Sequence, residues 1–182
     1  MCNKEEKDLI VSLDEFRQYA NFYSEGTDDL CIRYIKASTD IVSNYLGYNP
    51  IMKDYFCRIS GTGTPMLYVS VPKICSVNRL RIDGKEIDDY FIADDCIVLN
   101  DGLFNEGVYN IEVSYCGGWR VQDIPSAIKM AILRIASLML SEQGGNIGVT
   151  SKSFSDQSRT FVNYSNYNKF LNPLSIYRSR NF

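Results

Sequence analysis

Val113-Ser114-Tyr115-Cys116-Gly117-Gly118-Trp119, followed by Ile124-Pro125 and an apolar-striped run to Leu140, joins a strand to a helix through a sharp bend. Gly117 and Gly118 permit backbone conformations closed to other residues, so the chain can leave the strand abruptly while Trp119 covers apolar surface. Pro125 has the fixed φ of a first helical turn, and Asp123 adds a carboxylate near the positive helix end. The pattern predicts a helix over about 125–142, with Ile128, Ala131 or Ile132, Ile135 and Met139 on one side. Lys129 and Arg134 are left to face water or a partner, and Gly144-Gly145 stops the run.

Upstream, Ser12-Leu13-Asp14-Glu15 has the S-x-x-E form of a capping box, and Leu13, Phe16 and Tyr19 or Ala20 recur at helical spacing. A first helix over about 13–23 follows, closing near Gly26. Thr27, Asp28 and Asp29 supply the next cap. Cys31, Ile35, Ser38, Val42 and Leu46 then form one stripe of a helix over 28–46, with Leu30, Tyr34, Ala37, Ile41 and Tyr45 as its neighbour. Gly47 and Pro50 end it. Between about 51 and 116 the period falls to near two, with short runs at Tyr55–Ile59, Met66–Val71, Val77–Ile82, Tyr90–Ala93, Cys96–Leu99 and Val108–Tyr115. Asp83-Gly84 and Asp94-Asp95 read as tight turns and Asp101-Gly102 as a looser one. The expectation is an α+β fold: an antiparallel helical core with the second and third helices packed together, an antiparallel β-rich insert, and an extended C-terminal arm.

With 182 residues, 45% hydrophobic and 23% charged, the chain can bury roughly 70% of its unfolded surface and is not wholesale disordered. No run approaches the ~18 apolar residues of a membrane span, since Arg134 interrupts the richest. The mixed charges of Lys4 to Asp8 do not suit a secretion signal, so an intracellular product without membrane contact is expected. From Ser151 onward Lys152, Asp156, Arg159, Lys169, Arg178 and Arg180 give a local +4. With −3 for the whole, the preceding body carries −7. Such a body does not bind nucleic acid through bulk charge, but it could line a passage that DNA slides through.

The segment 146–168 is polar and shows no helical period and no β alternation longer than a few residues, yet it is rich in aromatics. It reads as an arm that orders against neighbours, with a brief helix over 167–171 or 174–178 divided by Pro173. Phe161, Tyr164, Tyr167, Phe170, Leu171, Tyr177, Arg178, Arg180 and Phe182 are the candidate docking residues, because Tyr, Phe and Arg are the anchors enriched at interfaces. The competing reading of the terminus is a solvated tail.

The chain has no histidine, so the usual general base near neutral pH and the commonest metal ligand are both missing. Asp28-Asp29, Asp88-Asp89 and Asp94-Asp95 could in principle hold Mg²⁺ or Ca²⁺, but adjacent residues of a strand point oppositely and each pair falls at a cap or turn. Cys2, Cys31, Cys57, Cys75, Cys96 and Cys116 form no C-x-x-C pair and read as reduced, mostly buried thiols. Nothing near Cys116 in sequence would activate it as a nucleophile. Gly61-Thr62-Gly63 lacks the lysine and hydroxyl of a phosphate loop and reads as a flexible connection. No catalytic residue, metal site or cofactor is expected.

The order of these elements resembles the head-tail connector, or adaptor, proteins of tailed phages. The residues that carry the likeness are Leu13 to Phe16, Asp28-Asp29-Leu30, Ala37, Tyr45-Leu46-Gly47, Val71-Pro72, Val113 to Trp119, and Pro125 with Ile128, Ala131 and Ile132. The resemblance implies one connector domain over 1–145 and an arm with a short terminal helix over 146–182. It implies a virion neck protein assembled in the host cytoplasm as a self-associated ring, commonly dodecameric. Its partners would be the portal and tail or second neck-ring proteins, with DNA passing through the channel. Two other classes remain open: a glycan- or surface-binding module of a phage tail or cell envelope, and a carboxylate-dependent hydrolase.

Overall fold

In the computed structural model the capping box is formed in both directions. The Glu15 N–H donates to Ser12 Oγ at 3.1 Å and the Ser12 N–H to Glu15 Oε2 at 2.8 Å. The structure describes residues 9–93, 95–142, 151–154, 157–160 and 167–179, and over 151–160 it describes the backbone. The chain divides into two compact units, one of Met1–Leu46 and Ile124–Ile176, the other of Gly47–Asp123 and Tyr177–Phe182.

The first unit is helical. Helix α1 (Leu13–Ala20) is shorter than the expected 13–23: Asn21 takes the left-handed conformation at φ 49°, and the Phe22 N–H turns back to the Arg17 carbonyl at 3.1 Å. Asparagine tolerates that conformation well enough to stop a helix, so Gly26 is not the terminator. Val11 and Phe16, both fully buried, occupy the flanking positions of a hydrophobic staple. Helix α2 (Asp28–Leu46) buries Cys31, Ile35, Ser38, Val42 and Leu46, the first of the two expected stripes, while the second is half-buried. Its first turn is tied to α1 by an ion pair between Asp28 and Arg17. Helix α3 (Ser126–Glu142) packs on α1 and α2 through Ile128, Ala131, Ile132, Ile135 and Ala136, and Met139 is only half-buried. Pro125 stands one residue before the helix, where its carbonyl accepts from the Ile128 and Lys129 N–H groups at 2.9 and 3.3 Å. It is the cap, not the first helical residue.

The second unit holds the sheets. Strands β1 (Lys53–Gly61), β2 (Met66–Tyr68), β3 (Ile74–Ile82), β4 (Lys85–Glu86), β5 (Tyr90–Ala93), β6 (Cys96–Leu99) and β7 (Gly107–Gly117) form two antiparallel sheets, ordered β1-β7-β3-β4 and β2-β6-β5. β7 is the long inner strand, hydrogen-bonded on both sides. Its Ile111, Val113, Tyr115 and Gly117 are buried while Glu112, Ser114 and Cys116 are half-buried, the alternation of a strand with one covered face. Asp83 and Gly84 both have positive φ, 52° and 78°, as a two-residue hairpin turn between β3 and β4 requires. β4 is too short to leave an alternation and has no counterpart in the sequence expectation.

Gly61-Thr62-Gly63 is not a loose connection. The Gly63 N–H donates to the Phe104 carbonyl and the Phe104 N–H to the Thr64 carbonyl, both at 2.8 Å, and the Gly61 N–H bonds Asn110 Oδ1 at 2.9 Å. Glycine is required at 61 because a Cβ there would lie 1.9 Å from the Asn105 carbonyl oxygen.

Downstream of α3, strands β8 (Ser151–Phe154) and β9 (Gln157–Thr160) pair as a hairpin, with Ser151 opposite Thr160 and Phe154 opposite Gln157. No periodic pattern announces this hairpin: four-residue, Ser-rich strands carry too little apolar alternation to register. Helix α4 (Tyr167–Leu171) runs directly into a 3₁₀ turn over Asn172–Tyr177, so both expected positions of the terminal helix are occupied in succession. Pro173 sits at the start of that turn, where its missing N–H costs nothing.

Candidate docking site

The bend after β7 rests on different roles for its two glycines. Gly117 remains in the strand. A Cβ on it would come within 3.0 Å of the Tyr115 ring and 3.3 Å of Val71 Cγ1, so it makes room for Tyr115. Gly118 alone takes positive φ, at 103°, and a side chain there would meet backbone atoms of Pro50, Ile51 and Met52 at 2.9–3.1 Å. That close approach lets residues 50–52 run beside Trp119: the Trp119 N–H donates to the Pro50 carbonyl at 2.9 Å and the Met52 N–H to the Trp119 carbonyl at 2.8 Å. Tyr115 stacks on its cross-strand partner Tyr55 at 5.6 Å, and its oxygen accepts from the Val71 N–H at 3.3 Å. Burial pushes its hydroxyl up to about 12.

Trp119 is half-buried and becomes one wall of an aromatic clamp. Tyr48 stacks on it at 6.1 Å, and Tyr177 meets it edge-on at 6.2 Å and 84°. The Tyr48 hydroxyl donates to the Tyr177 carbonyl at 2.6 Å, and burial raises the Tyr48 pKa. One turn of chain further, Ser179 lies against Gly47, whose φ of 84° ends α2. The C-terminal segment is thus held by its own chain at Tyr177, and Arg178 beside it is exposed. Tyr48 and Ser179 were not anticipated, since neither sits in a periodic pattern that would single it out.

The other docking candidates divide. Tyr167 and Leu171 are buried with Leu174 in the helical unit, and Phe170 is half-buried with the Arg134 guanidinium 5.7 Å above its ring, a cation–π contact. Their aromatic and apolar surface is spent inside the unit. Phe161, Tyr164, Arg180 and Phe182 lie outside the described residues. Ile176, unremarked in the sequence, is 79% exposed immediately before the clamp.

Among the described residues no three His, Cys, Asp or Glu side chains gather in a way that could hold a metal ion. Asp28 is committed to Arg17, Asp89 accepts from Asn100 Nδ2 at 2.5 Å, and Asp94 lies outside the described residues. Burial, with Cys75 and Asp54 nearby, pushes the Cys116 thiol up, the wrong direction for a nucleophile at neutral pH. No described helix is long and apolar enough to cross a membrane.

No curated protein matches the chain. Among solved structures it is similar to a chain from the neck of an empty gene transfer agent particle computed with C6 symmetry, at TM-score 0.61 and 11% identity, covering 100% of this chain and 94% of that one. A chain from the neck of the native particle computed with C12 symmetry gives TM-score 0.59 at 11% identity, covering 93% and 89%. A chain of the native gene transfer agent virion gives 0.61 at 11%, covering 100% and 94%. These likenesses share the fold. The family model described as head completion protein matches residues 9–178, from the buried Leu9 to the exposed Arg178 beside the aromatic clamp. By that match over nearly its whole length, the chain belongs to the head completion protein family.

Proposed function

We propose that this protein is a non-enzymatic structural subunit of a virion neck, forming a ring between the portal and the tail through which DNA passes. The observation that carries the reading is the head completion match over 9–178, and the likeness to chains of two particle necks supports it. Each subunit contributes a helical unit and a sheet unit as rigid bodies. Many such contacts, tethered in one closed ring, bind cooperatively although each is weak. A body of net −7 lining the channel weakens phosphate contacts, which suits a conduit.

Docking onto the portal falls to the C-terminus from Ile176 onward. Tyr167, Leu171 and Leu174 are buried, so their role is to fix where this segment starts, and the Tyr48–Trp119 clamp fixes where it leaves the body. Exposed Ile176 and Arg178 flank the clamped Tyr177. A chain ending at Tyr177 keeps every buried anchor and loses the basic end. Co-sedimentation with portal rings should be lost in that truncation while its melting curve is retained. Undiminished co-sedimentation would overturn the assignment of docking to this end.

A further inference from the structure

β3 carries one extra residue against β7 between the pairs Ile74–Gly117 and Ser76–Cys116, and that residue is Cys75. A bulge of this kind sets two residues of one strand against one of its partner, so Cys75 and Ser76 together oppose Cys116. The register partner of Cys116 is Ser76, and Cys75 is the unpaired bulge residue next to it in the chain. A disulfide from Cys75 to Cys116 needs Cα atoms roughly 4.4–6.8 Å apart, a reach the bulge has to supply. Both thiols are free; Cys75 is exposed and Cys116 half-exposed, whereas Cys31 and Cys96 are buried. The Cys75 thiol donates to the Gly118 carbonyl at 3.5 Å, so it is already turned toward the end of β7. Cys75 is also among the groups that raise the Cys116 pKa, which places the two sulfurs in each other's field.

We infer that Cys75 and Cys116 form a cross-strand thiol pair that closes to a disulfide on meeting an oxidant of the glutathione-disulfide class, clipping β3 to β7 just before the Gly118 bend. The exposed Cys75 thiolate attacks one sulfur of oxidised glutathione. The glutathione S–S bond breaks, a mixed disulfide forms, and the released glutathione thiolate takes up the proton Cys75 gave to water. Cys116, likewise deprotonated by water, attacks the Cys75 sulfur, and the second glutathione leaves as a thiolate and is protonated in turn. Two electrons pass from the protein to glutathione, and no other reactant is consumed. Because burial holds the proton on Cys116, the second step is the slow one and quickens as pH rises. This chemistry belongs to the folded subunit and stands apart from the neck reading. That reading supplies only the setting, since a particle leaving a reducing cytosol for the exterior meets oxidants there.

The full chain is incubated with oxidised glutathione at pH 7 and pH 9, alkylated, digested and analysed by mass spectrometry, with urea unfolding in parallel. The expected product is a Cys75–Cys116 crosslink, formed faster at pH 9, with a higher urea midpoint that dithiothreitol reverses. Cys116→Ser should stop at the mixed disulfide on Cys75 and show no midpoint shift. Cys75→Ser, a change at an exposed residue, should leave Cys116 alkylatable and gives the same information if the first variant does not fold. A folded wild-type chain in which Cys75 carries glutathione while Cys116 alkylates freely at both pH values overturns the inference. So does a crosslink from Cys75 to any other cysteine.

Discussion

Gly118→Ala tests whether the bend is a rigid joint. At φ 103° an alanine incurs a backbone cost of about 1–2 kcal/mol. Its Cβ would also stand 2.9 Å from the Pro50 oxygen, 3.0 Å from the Met52 nitrogen and 3.1 Å from the Ile51 carbonyl carbon. These are backbone atoms, fixed by the two hydrogen bonds of the Trp119 bridge, so relief means stretching or breaking that bridge at about 0.5–1.5 kcal/mol per bond. The sum is about 3 kcal/mol, or a fall in melting temperature of roughly 6–12 °C for a chain of this size. Gly26→Ala is the matched control, because Gly26 also has positive φ, 71°, but its Cβ would meet nothing within 4 Å. It should lose only the backbone share, about 1–2 kcal/mol. Thermal unfolding followed by near-UV circular dichroism, to which Trp119 contributes, reads both. If the two variants melt together, the 50–52 segment yields freely and the joint is not rigid.

Tyr177→Ala should shift the emission of Trp119, the chain's single tryptophan, to the red by opening the clamp; an unchanged spectrum would show that the tail does not seat there in solution. Trp119→Ala should cost about 2–3 kcal/mol, below the 3–5 typical of a fully buried ring, since Trp119 is half-buried and its Tyr48 and Tyr177 contacts contribute about 0.5–1.5 kcal/mol each. Ser12→Ala should cost about 1 kcal/mol by leaving the Glu15 N–H without its cap, measurable as a lower urea midpoint. Burial raises the Tyr48 and Tyr115 pKa values in the folded state, so neutral hydroxyls favour folding. Their contribution is whole below about pH 10, the unfolded value, and is lost as pH rises through about 12 for Tyr115. Alkaline titration of stability should fall over that window and be shallower in Tyr115→Phe.

Local rules made some elements legible and left others blank. Helix α2 followed from its period and its caps, and so did the capping box of α1, because caps and stripes are set by residues three or four apart; that only the first of the two α2 stripes is fully buried was left to packing. Strands β5 and β6 were likewise delimited, as short apolar runs bounded by the turn residues Asp88-Asp89, Asp94-Asp95 and Asn100-Asp101. Helix α1 ended early because a left-handed Asn21 was as good a stop as the glycine five residues later. The β8–β9 hairpin had no apolar alternation to announce it. The docking candidates were recognised as aromatic, but whether each faced inward or outward was a matter of packing: Tyr167 and Leu171 went into the helical unit and Tyr177 onto Trp119.

By itself the sequence determined the α+β class, the order of helices and strands, the bend after β7 and the lack of histidine chemistry, since these depend on near neighbours and on composition. Only the tertiary structure decided that Gly117 and Gly118 do different work, that Tyr48 and Trp119 close on Tyr177, and that a bulge sets Cys75 and Ser76 together against Cys116. Each of those joins residues tens of positions apart, where pairing register and packing, not local periodicity, choose the partner.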